Sequence, residues 1–127
     1  NKYGQILDLV QEQVDDAIKK IHDSQWENGA LRPPAYEGQS SSTSTLTAYE
    51  VHVTGHTFEF LARALPDNML TEPWVMKSAS FLLNLLRLYP IGYGEQLKNE
   101  QDLCDFGCFC HAVSGLAHWK NRVIGKK

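Results

Sequence analysis

Apolar residues recur at helical spacing in four separate stretches of this chain, and no stretch alternates with the two-residue period of a strand. The first, Ile6 to His22, lines up Leu7, Val10, Val14, Ala17, Ile18 and Ile21 as one stripe, with Gln11, Glu12, Asp15, Asp16 and Lys19 facing elsewhere. The pattern predicts a helix with that stripe on the core and its other face in water. Lys19, Lys20 and His22 suit the negative end of its dipole. The second, Ser44 to Leu65, carries Leu46, Tyr49, Val53, Phe60 and Ala64 on one side and Val51, Phe58, Leu61 and Leu65 on another. A helix apolar on two sides is packed from two directions.

The third stretch starts at Thr71-Glu72-Pro73-Trp74, with Thr71 as N-cap and Pro73 in the first turn, where backbone N–H groups lack partners. From Val75 to Leu88 it is apolar almost all round, which predicts a buried helix. The short link through Pro66 makes it an antiparallel neighbour of the second helix. The fourth, Leu103 to about Val123, has Phe106, Cys110, Val113 and Ala117 on one face and Phe109, Leu116 and Trp119 on another, ahead of a frayed basic tail from Asn121 to Lys127. The expected fold is therefore all-α, with main helices near 5–23, 44–65, 72–89 and 103–121 forming antiparallel hairpins in one domain, 1–127.

Two connections separate these helices. Asp23 to Thr43 contains Gly29, Pro33-Pro34, Gly38 and a serine-rich run, so it is expected at the surface, pinned by Trp26, Leu31 and Tyr36 and ending in N-caps at Ser42 to Ser44. Tyr89 to Gln101 is broken by Pro90, Gly92 and Gly94.

The apolar faces leave one polar strip on each of two helices. On the second helix it holds Ala48, His52, Gly55 and Glu59, with His56 beside it. On the fourth it holds Cys104, Cys108, His111, Gly115 and His118. Spacings of three and four put each set along one side of successive turns. The two strips are predicted to face one cavity, with Gly55 and Gly115 leaving room for a small-molecule ligand. His52, His56, Glu59 and His111 would then serve as acid–base groups. Cys108, Cys110 and His111 are the candidate metal ligands, with zinc the metal they would take. Glu59 and Arg63 could equally form an i,i+4 pair, and the strips a structural polar seam between packed helices.

Composition narrows the class. At 127 residues with 43% hydrophobic and 21% charged residues, the chain reads as one soluble globular domain. A net charge of −3 and the lack of a Lys/Arg run give no reason to expect nucleic acid or an anionic membrane. The longest apolar runs, such as Ser80 to Leu86, are too short to span a bilayer. Three cysteines between 104 and 110 cannot all pair within the chain, favouring a reducing compartment such as the cytoplasm, or a metal site. The start at Asn1, without Met or signal sequence, suggests the C-terminal piece of something longer.

Three short motifs carry family resemblances. Gln25-Trp26-Glu27-Asn28-Gly29-Ala30-Leu31 resembles the Q-x-x-x-G-x-W repeat of terpenoid cyclases, with Leu31 in place of tryptophan. Asp105-Phe106 and Val113-Ser114-Gly115-Leu116 resemble a stretch of protein prenyltransferase β-subunits. That likeness implies that the family's zinc-binding histidine falls on Cys108, while Asp102-x-Cys104 is similar to its other two ligands. Cys110-His111-Ala112-Val113-Ser114-Gly115 resembles the zinc-binding C-H-G-x-x-G of lanthionine-synthetase cyclases, with Ala112 replacing glycine. All three families share the α/α toroid, a ring of helical hairpins around a central cavity, of which this chain would supply two hairpins.

Two functions follow as expectations. One is a helical-hairpin interaction module that docks to a second copy or to the rest of a longer chain. The other is part of a toroid-type enzyme, a transferase, cyclase or lyase acting on a prenyl-like, peptide or carbohydrate substrate.

Overall fold

The computed structural model of the chain describes residues 1–31, 43–88 and 100–125, and within these it leaves aside the side chains of 43–49, 88, 100–106 and 108. Four α-helices follow in order: α1 (Lys2–Asp23), α2 (Thr43–Ala64), α3 (Pro73–Leu88) and α4 (Glu100–Gly125), with one 3-10 turn at Asp67–Met69. No strand occurs among the described residues. The all-α expectation holds, and the helix boundaries fall within a few residues of those predicted.

The core forms where α2 and α4 pack most extensively, with α3 against both. Phe58, Leu61, Leu65, Leu70, Val75 and Leu82 are fully buried at its centre. Close pairs advance together along α2 and α4, from Gly55 against Ala112 to Ala62 against Arg122, so the two helices run in the same direction. The indole of Trp119 stands edge-on to Phe58, with centroids 5.9 Å apart, and donates to the Leu70 carbonyl at 2.8 Å.

The Gln25–Leu31 motif ties the start of the first connection to α2 and α3. Gln25 Nε2 donates to the Trp74 carbonyl at 2.8 Å and to Ser78 Oγ at 2.7 Å. Ser78 Oγ in turn donates to the Gly29 carbonyl at 2.7 Å, and the Leu31 amide donates to Thr54 Oγ1 at 3.1 Å. Gly29 has φ of +100°, and a Cβ there would stand 2.7 Å from the Lys77 carbonyl oxygen, so only glycine fits this turn. The buried hydroxyls Ser78 and Thr54 thus satisfy backbone groups that a close-packed turn leaves without ladder partners. Leu31 anchors the connection as expected; Tyr36 and the N-caps at Ser42 to Ser44 lie outside the described residues and side chains.

Several sequence expectations need correction. The α1 stripe does not bury along its length: only Ile18 is buried, with Val14 and Ile21 packed beside it. Toward the N-terminus Tyr3 is 79%, Leu7 67% and Val10 54% exposed. α3 is not buried all round, because Met76 and Leu83 face outward while Trp74, Val75, Ala79 and Leu82 face the core. It begins at Pro73, so Glu72 rather than Thr71 precedes the first helical residue, and its Oε1 accepts from Trp74 Nε1 at 2.9 Å. On α4, Cys110, Val113 and Ala117 are exposed, and the small residues Ala112 and Gly115 are buried instead. Asn121 to Gly125 remain helical rather than frayed, with Val123 on the core.

Candidate functional site

Small residues set the separation of α2 and α4. A Cβ on Gly55 would lie 2.8 Å from the Cβ of Ala112, and one on Gly115 would lie 2.9 Å from the Cα of Glu59. The helices therefore touch at backbone distance at two points along one seam. The glycines expected to leave room for a ligand are filled by the opposing helix.

Side chains flanking those contacts meet at the edge of the seam. The rings of His56 and His111 lie 4.3 Å apart at 32°, and His52 stands edge-on to His56 at 4.9 Å. His111 Nδ1 is 2.9 Å from Glu59 Oε1. The structure thus brings together all four residues predicted for acid–base work. They form a half-open surface row, with 49% of the His111 side chain and 20% of the Glu59 side chain exposed.

Burial alone would raise the pKa of Glu59. Hydrogen bonds from His111 and Ser114, with the charges of His111 and Arg63, outweigh that and hold its carboxyl below the ordinary range. His56 is shifted down as well, by burial first and then by the neighbouring His111 and His52, with Glu59 opposing. The site therefore pairs an ionised carboxylate with a neutral imidazole. Against an ionised Glu59, which can only accept, Nδ1 of His111 is the donor. Arg63, the predicted partner of Glu59, acts through its charge while His111 takes the hydrogen bond.

The predicted metal ligands Cys108, Cys110 and His111 fall only partly among the described side chains. Cys110 is exposed, and the side chains of Cys108, Cys104 and Asp102 lie outside those described. Among the described residues, the ligand atoms of His56, Glu59 and His111 lie within 4.8 Å of one another, so only His111 is shared with the cysteine set. Sequence reasoning missed Ser114, although its position three residues after His111 places it on the same side of α4. Such a row can pass a proton between imidazole and carboxylate, or offer nitrogen and oxygen lone pairs to a cation. In comparisons with known proteins, the chain matches no family model, no curated protein and no solved structure.

Proposed function

We propose that this chain is a helical-hairpin interaction module that self-associates through the exposed stripe of α1. The uncovered row of Tyr3, Ile6, Leu7 and Val10 carries this reading. It continues the stripe that Val14, Ile18 and Ile21 already bury, within an arc of roughly 120° at 100° per residue. A projecting helix of about a dozen residues is marginal in water, so a covering layer would stabilise it. A second copy is the partner of choice, because two-fold pairing sets the same stripe against itself. The bordering positions, Gly4 and Gln11 on one flank and Lys2, Leu9 and Gln13 on the other, oppose no row of like charges.

The parallel run of α2 and α4 supports a toroid-like or solenoid-like stack of hairpins, whose uncapped end would be α1. Fully burying such side chains gains about 1.5–3 kcal/mol each, against an association cost of about 4–15 kcal/mol. Association is therefore reversible and concentration-dependent. Sedimentation equilibrium of the chain and of Leu7→Glu/Val10→Glu tests this: the parent should self-associate and the variant should not, with equal helicity by circular dichroism. A strict monomer at high concentration would refute it.

A second reading, part of a toroid-type enzyme, draws on the Glu59–His111 couple beside a neutral His56. It would use Glu59 to orient His111 for proton transfer.

A further inference from the structure

We propose that His56, Glu59 and His111 form a binding site for a transition-metal dication, with zinc(II) as the best fit, at the edge of the α2–α4 seam. Their ligand atoms already lie within 4.8 Å of one another. Tetrahedral zinc with bonds of about 2.0–2.1 Å needs ligand atoms about 3.3 Å apart. The Glu59–His111 pair, at 2.9 Å, is already within that distance, so any remaining adjustment falls to His56.

The backbone is prepared for this. His56 and Glu59 sit three residues apart on one side of α2, and His111 faces them from α4. The Gly55–Ala112 and Gly115–Glu59 contacts fix the helix crossing next to the three ligands, so they are mounted on two rigid helices. Two imidazoles and one carboxylate suit zinc and its first-row neighbours, whereas calcium and magnesium call for oxygen donors. Three protein ligands with His111 half exposed leave the fourth position to water, the arrangement of an open rather than a closed zinc site. His52 stands edge-on to His56, outside the three-ligand set. Cys110 takes no part.

The test uses untagged chain stripped with chelator and titrated with zinc(II) by calorimetry, and with cobalt(II) by absorption. One metal per chain should bind, with a cobalt spectrum of nitrogen and oxygen ligation. Glu59→Gln and His56→Ala should each weaken binding at least tenfold, while Cys110→Ser should leave it unchanged. Circular dichroism of each variant confirms folding, and the near-isosteric Glu59→Gln keeps the test decisive if His56→Ala unfolds. Absence of stoichiometric binding, binding indifferent to Glu59→Gln, or a thiolate-to-cobalt charge-transfer band would each overturn the proposal.

Discussion

Gly115 lies so close to Glu59 that a Cβ on the glycine would stand 2.9 Å from the glutamate Cα. That contact joins packing to chemistry, because the backbone approach that buries α4 against α2 also holds the Glu59 carboxylate beside His111. Alanine at 115 should therefore push the helices apart. Mid-helix alanine gains about 1 kcal/mol of propensity over glycine, but overpacking costs about 1–3 kcal/mol. Gly115→Ala and Gly55→Ala should each lose stability in urea titration. Gly107→Ala, where nothing lies within 4 Å of the added Cβ, should gain about 0.5–1 kcal/mol instead. Equal effects at all three positions would mean that propensity, not helix contact, governs these glycines.

Ser78 is the hinge of the hydrogen bonds that hold the Gln25–Leu31 turn. It accepts from Gln25 and donates to the Gly29 carbonyl while fully buried. Ser78→Ala removes one partner from each and should cost about 1–3 kcal/mol. Gln25→Ala should cost less, since Gln25 is only part-buried and Ser78 keeps its bond to Gly29. Thermal unfolding of the two variants checks both the loss and its order.

His56 gives the protein a pH dependence of definite sign. Its folded pKa is depressed, by burial first and then by His111 and His52, with Glu59 on the same helix opposing. The unfolded ring, with its ordinary pKa of about 6.5, therefore takes up a proton before the folded one does. The contribution of His56 is complete above that value and declines as pH falls toward the folded pKa. In chelator, urea midpoints measured at about pH 7.5 and 5.5 should fall further for the parent than for His56→Gln. An equal fall in both would show that His56 does not titrate differently on folding.

The helices were legible because apolar spacing is local, and Val51, Phe58, Leu61 and Leu65 are all buried as their periodicity implies. What spacing could not supply was which apolar face finds a partner. Tyr3 to Val10 on α1 and Val113 on α4 have the same pattern as core positions, yet they face outward because no described element covers them. The convergence of His56, Glu59 and His111 was legible as two polar strips. The use of Gly55 and Gly115 was not, since a small residue signals close approach without saying whether a ligand or a helix makes it. In the same way the basic end of α4 read as a tail, because the acceptors for Arg122 lie some sixty residues earlier in the chain.

Those acceptors make Arg122 a closing contact for the domain. Nη1 donates to the Ala62 carbonyl at 3.0 Å, in the last turn of α2, where carbonyls have no helical partner. Nη2 reaches Asp67 Oδ1 at 2.8 Å in the 3-10 turn that follows. One guanidinium thus ties the end of α2, the turn after it and the last turns of α4. The two bonds should differ in worth. The Asp67 side chain is 74% exposed, so its ion pair is screened by water and contributes about 0–1 kcal/mol. The carbonyl bond, made by a largely buried side chain, should contribute about 1–3 kcal/mol as a hydrogen bond from a charged donor. Arg122→Ala should therefore destabilise clearly more than Asp67→Ala, and high salt should reduce the Asp67 effect without removing the Arg122 effect. Urea titrations at low and high ionic strength measure both. Equal losses that vanish together in salt would reduce Arg122 to a surface charge and return the end of α4 to a tail.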